Sequence, residues 1–153
     1  MLSQTILASP PARRTFSVLS KGASGMGTDV IILFAHGARD PEWARPVEAV
    51  AQQLRDRFPT RLIEVAFLEF MKPTLPEAVA HVLAGGVCPP VASCIQILPF
   101  FIAQGGHLRK ELPEMLDALR TQHPGQAFAL LPPLGELPAV QAAMAEAIAG
   151  LIP

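Results

Sequence analysis

Apolar residues fall into two regimes along the chain from residue 30 onward. Short, nearly continuous apolar runs cover 30–35, 62–68, 94–101 and 127–131, the pattern of strands buried on both faces in a parallel sheet. The segments between and after them are amphipathic at helical spacing. In 41–58 the stripe is Trp43, Val47, Val50, Leu54 and Phe58; in 73–84 it is Leu75, Val79, Val82 and Leu83; in 107–122 it is Leu108, Leu112, Met115, Leu116 and Leu119. A last helix is expected over 136–151. Local signals support these bounds. Asp40 caps a helix that opens on Pro41 and is stopped by Pro59, Thr74 or Pro76 marks the second start, and Gly85-Gly86 ends it. Pro113 is expected in the first turns of the third helix, where it is tolerated. Four strand–helix units with short connections predict a single-domain, three-layer α/β/α fold around a four-stranded parallel sheet with right-handed crossovers.

The chain has 153 residues, half of them hydrophobic, enough for one domain with a packed core. Residues 1–28 stand apart: Arg13, Arg14 and Lys21 are basic, small residues abound, and the first acidic residue is Asp29. That is transit-peptide composition, yet Met26 opens a compact reading directly before the first strand, so a start at Met26 is preferred. Residues 1–28 are expected to be a disordered extension and 29–153 the folded domain. A formal net charge of −1 provides no basic field for nucleic acid or an anionic membrane surface. The apolar runs are too short to span a bilayer. Cys88 and Cys94 match neither a zinc spacing nor a disulfide framework, and read as reduced packing residues of a cytoplasmic protein.

His36, Glu69 and His107 each follow one of the strand runs and belong to three different units. In an open parallel sheet, ligands bind beyond the carboxyl ends of the strands, so three polar groups converge on one pocket. Two imidazoles and a carboxylate suit a divalent first-row transition metal. Gly37 allows a sharp turn and close approach of a bulky ligand, and His107 follows Gln104-Gly105-Gly106 at a helix start. Arg109 and Lys110 oppose the dipole of that helix, which points to an anionic ligand, and Arg39 is a third cation at the same rim. Together they suit a polycarboxylate. His81 and His123 read as structural.

The segments His36-Gly37-Ala38-Arg39-Asp40-Pro41, Ala66-Phe67-Leu68-Glu69 with Lys72-Pro73-Thr74-Leu75-Pro76-Glu77-Ala78, and Leu98-Pro99-Phe100-Phe101 with Gly105-Gly106-His107-Leu108-Arg109-Lys110-Glu111-Leu112-Pro113 resemble the small sirohydrochlorin cobaltochelatases and ferrochelatases of the class II, ATP-independent chelatase group. The resemblance runs from Val30 to Leu151. The family more often carries serine or threonine where this chain has Ala38.

This resemblance implies a flavodoxin-like, chelatase-like half and an enzyme that inserts a divalent metal into sirohydrochlorin or a related modified tetrapyrrole. The metal is a substrate, Co(II) first and Fe(II) or Ni(II) behind, and no organic cofactor is implied. His36, His107 and Glu69 would be metal ligands and proton acceptors, with Arg39, Gly105, Gly106, Arg109 and Lys110 contacting the ring and its carboxylates. Longer relatives hold two such halves in one chain, which implies a homodimer here. Two other readings stay open: a metal or tetrapyrrole carrier without turnover, and a flavodoxin-like module binding phosphate or a nucleotide at Gly105-Gly106.

Overall fold

The computed structural model describes residues 30–85, 94–103 and 105–152, without the His107 side chain. The expected N-terminal extension and Cys88 lie outside the described residues. Four parallel strands, β1 Val30–Ala35, β2 Leu62–Phe67, β3 Ile95–Pro99 and β4 Phe128–Leu130, form one sheet in the order β2-β1-β3-β4. Helix α1 is Arg45–Arg57, α2 is Leu75–Leu83, α3 is Gly106–Gln122 and α4 is Pro138–Ala149.

This order decides where a ligand can sit. The chain steps from β1 to β2 in one direction, then crosses back past β1 to β3 and on to β4. With right-handed crossovers, that reversal sends α1 to one face and α2 and α3 to the other. The packing agrees: Leu33, Ala35, Ile63, Val65 and Phe67 bury against Val47 and Ala51 of α1, whereas Val30, Ile32, Phe34, Ile95 and Ile97 bury against α2 and α3. Alternate strand residues therefore feed two cores. The direction changes between β1 and β3, and beyond their carboxyl ends the diverging connections leave a crevice.

The expected helix at 41–58 is in fact two elements. Pro41–Ala44 is a 3₁₀ turn capped by Asp40, whose Oδ1 accepts from the Glu42 N–H at 3.0 Å, and α1 begins only at Arg45. The change of pitch rotates Trp43 off the α1 stripe, leaving it 69% exposed, while Val47 and Ala51 are buried. Val50 and Phe58 are also exposed, so the inward face of α1 is narrower than its sequence stripe. Helix α2 starts at Leu75, its first N–H groups served by a Thr74–Glu77 cap. Pro113 lies inside α3, in its third turn, deeper than the opening turns in which it was expected.

Helix α4 has no buried residue although its sequence is largely apolar. Its footing is a 3₁₀ turn at Leu134–Glu136, where the Gln141 side-chain amide donates to the Gly135 carbonyl at 3.0 Å. Gly135 in turn lies against the β3–α3 connection: its N–H donates to the Phe101 carbonyl at 2.9 Å, and a Cβ there would fall 1.9 Å from the Ile102 carbonyl oxygen. No helix of the described residues is long and apolar enough to cross a membrane.

Candidate active site

The β1–β2 ladder continues past the strand ends. Leu68 N–H donates to the Ala35 carbonyl at 2.9 Å and Glu69 N–H to the His36 carbonyl at 3.0 Å, so the first residues beyond both strands stay in register. That register sets His36 beside Glu69, with Nε2 3.1 Å from Oε1. Gly37 makes the approach possible. Its φ is +85°, and a Cβ there would fall 2.0 Å from the Glu69 carbonyl oxygen, which no side chain could accommodate without moving the loop. On its other side the His36 ring meets Phe101 edge-on, centroids 6.2 Å apart, and Phe101 packs edge-on against Phe34. The imidazole is thus held between a carboxylate from the β2 end and an aromatic ring from the β3 end.

About half of each side chain in the pair is exposed, 53% for His36 and 46% for Glu69, so both can meet a ligand. A carboxylate facing Nε2 is satisfied by an Nε2–H tautomer, which leaves Nδ1 with a lone pair able to bind a metal or take a proton. Glu69 can receive a proton that the imidazole releases. Phe70, next in the chain, has φ 62° in the left-handed region and is exposed, and its ring carries the Arg39 guanidinium at 5.4 Å from the centroid. A residue of this kind in that conformation is strained, a feature that concentrates at functional loops.

Between the start of α1 and the start of α3 lies a cavity of about 620 Å³, within the usual range of small-molecule sites. Its α1 side is Trp43, Pro46 and Val47. Its floor is Ala35, His36, Gly37, Phe67 and Leu68, and its α3 side runs from Phe100 through Ile102 and Gly105 to Leu108 and Glu111. The walls are overwhelmingly apolar. Among the described residues that line it there is no Lys or Arg. Arg39 and Arg109 are exposed outside the cavity, and Lys110 borders a second, polar cavity with Gly106, Glu111 and Glu114, its Nζ 4.0 Å from Glu114.

Two of the three residues nominated as metal or proton ligands are brought together directly. His107 occupies the second position of α3, so its backbone lies at the cavity's α3 end; its side chain is outside the described residues. Among the described residues no three His, Cys, Asp or Glu side chains cluster closely enough to hold a metal ion. His81 and Glu64 form a separate pair, 3.8 Å apart, between α2 and β2. Trp43 and Glu111 are among the cavity residues that sequence reading missed. Trp43 was assigned to the core because its spacing continues the α1 stripe, and only the 3₁₀ turn shows otherwise. Glu111 carried one usable signal, its position one helical turn after His107.

The CbiX family model matches residues 30–151. A sirohydrochlorin cobaltochelatase of Saccharolobus islandicus (strain L.S.2.15 / Lassen #1) is 34% identical over 111 residues, covering 69% of this chain and 81% of that protein. One from Saccharolobus solfataricus is 38% identical over 86 residues, covering 56% of this chain and 62% of that protein. Among solved structures, a cobalamin (vitamin B12) biosynthesis CbiX protein from Marinobacter aquaeolei VT8 is similar with a TM-score of 0.68 and 29% identity, over 80% of this chain and 95% of that one. The sirohydrochlorin chelatase SirB from Bacillus subtilis subspecies spizizenii, solved with cobalt, shares the fold at a TM-score of 0.66 and 19% identity; the match covers 80% of this chain and 50% of SirB.

Proposed function

The chain belongs to the CbiX family, and from that premise we propose that it is a chelatase that inserts a divalent metal ion into sirohydrochlorin without ATP. The observation that carries this reading is the His36–Glu69 pair on the floor of an apolar cavity at the carboxyl ends of a parallel sheet. Insertion removes two pyrrole N–H protons and delivers a metal freed of much of its water. The site must therefore offer lone pairs that exchange between metal and proton, in a place that excludes solvent.

His36 fits the first need. Its ring is fixed by Glu69 on one side and Phe101 on the other, so the free nitrogen is oriented before substrate arrives. Glu69 takes the proton onward and, half exposed, returns it to solvent. We assign His107 as the second imidazole because α3 begins at the far end of the same cavity. The apolar walls shed water from the ring face, and the glycines at 105 and 106 leave the mouth open beside α3. Arg39, Arg109 and Lys110, outside the cavity, suit the acetate and propionate groups that project from the ring edge.

We assign cobalt as the first metal, with iron and nickel behind, since the relatives named above are cobaltochelatases and one related structure holds cobalt. Imidazole and carboxylate ligation does not itself choose among these ions. Anaerobic incubation of the protein with sirohydrochlorin and each of Co(II), Fe(II) and Ni(II), followed by visible absorption, tests the reading: accelerated metallation supports it, and rates equal to the protein-free control overturn it. Tight binding of ring or metal with no acceleration would identify a carrier instead.

A homodimer is part of the proposal. The match to SirB covers half of that protein, so a single copy offers one of two lobes, and the apolar helix α4, with Ile148 exposed and Leu151 and Ile152 exposed beyond its end, offers a surface for the second. Sedimentation equilibrium at micromolar concentration decides it: twice the chain mass is expected, and a fully active monomer would show that one lobe suffices.

A further inference from the structure

Trp43 is the only tryptophan in the chain. It contributes little to the core, being 69% exposed, yet it lines the apolar cavity. A large indole left in water at a cavity wall forgoes a substantial burial gain, on the order of 150–250 Å² of contact area. Its backbone is nevertheless held with care. The Trp43 N–H donates to the Asp40 carbonyl at 3.1 Å, the Asp40 side chain caps the same turn, Pro41 fixes its φ, and the Arg45 guanidinium donates to Glu42 at 2.6 Å. The turn fixes an exposed indole that the isolated fold does not use.

Its neighbours indicate the use. Trp43, Pro46 and Val47 stand on the α1 face of the sheet, and Phe101 and Leu108 bury into the opposite core with α3, so the cavity between them is a slot with apolar sides. We propose that Trp43 is a substrate-contact residue: its indole stacks on one face of the tetrapyrrole and closes the slot on the α1 side. This rests on the functional reading above and adds to it the residue that recognises a flat, conjugated ring. Such a stack is nearly the same before and after metal enters the ring. It is therefore uniform binding, which lowers KM and leaves kcat alone.

The test compares the full chain with W43F and W43A, using sirohydrochlorin and Co(II) under anaerobic steady state. For W43A, KM for the ring should rise about tenfold or more with kcat within about threefold of wild type, and W43F should recover part of the loss. In wild type, acrylamide's bimolecular quenching constant for the single indole, corrected for the shortened lifetime, should fall when the ring is bound. A W43A KM within about twofold of wild type, or an indole equally open to acrylamide with the ring bound, overturns the inference. Protection that follows protein concentration without added ring also overturns it, by placing Trp43 against a second copy. A wild-type protein that neither binds nor metallates the ring would instead overturn the functional reading, and this inference with it.

Discussion

Nε2 of His36 lies 3.1 Å from Oε1 of Glu69, although the two residues leave different strands. The pairing is a consequence of register. Ala35 lies opposite Phe67 at the ends of β1 and β2, and two further backbone hydrogen bonds carry the ladder to His36 and Glu69. The central strand β1 thus presents one imidazole to a carboxylate from its left neighbour and to the Phe101 ring from its right.

If these groups exchange metal for protons, His36→Ala and His107→Ala should each lower the metal-insertion rate by about a hundredfold or more. Both should fold, since His36 is exposed and His107 sits at a helix start where alanine is well accommodated. Spectrophotometric rates alongside circular dichroism check this. Near-normal rates in both variants would remove the site assignment.

Glu69→Gln keeps the shape and a hydrogen bond to His36 but cannot accept the proton. A partial loss is expected, with a changed pH–rate profile, because one proton acceptor has been removed from the site. The measurement is the pH–rate profile of both proteins. Profiles of the same shape would mark Glu69 as a bystander.

Gly37→Ala should damage stability and activity together. The left-handed conformation costs an alanine about 1–2 kcal/mol, and its Cβ would meet the Glu69 carbonyl at 2.0 Å, pushing apart the two loops that align His36 with Glu69. Thermal unfolding should shift down by several degrees, about what such a cost produces in a domain of this size. An unchanged melting temperature with full activity would show that the loops do not need this contact.

Glu77 gives a prediction for acid. Its Oε1 lies 2.5 Å from Lys72 Nζ and its Oε2 accepts from the Thr74 N–H and hydroxyl, holding its carboxyl down at about 2 from an ordinary 4.5. A folded-state value below the unfolded one means that the unfolded chain binds the extra proton between them. The stabilisation is therefore fully present above about 4.5 and is lost as pH falls toward about 2. Because the pair is exposed to solvent, the effect is small. Chemical unfolding of wild type and Glu77→Gln should show wild type the more stable at pH 6 and the difference vanishing near pH 2; an equal gap at both would assign it to helix propensity.

Much of the fold was legible because burial on both faces leaves a continuous apolar run. Val30–Ala35 was bounded to the residue, and the other strands differed only at their ends, where polar and apolar neighbours blur the edge. The candidate residues His36 and Glu69 were legible for the same reason: a polar residue just past a buried strand has few places to go except the crevice. What the hydrophobic pattern could not decide was set by turn geometry at Trp43 and by contacts distant in the chain at His36. Trp43 continues the α1 stripe by spacing, and only the 3₁₀ turn, a change of pitch settled by the Asp40 cap and Pro41, turns it into the cavity. The 3.1 Å approach of His36 to Glu69 depends on β2 pairing with β1 in one register and on a glycine whose missing Cβ leaves room for a carbonyl from another loop. Hydrophobic pattern along the chain fixes which residues are buried; which residues touch is fixed by strand order and register, and these exist only once the sheet has formed.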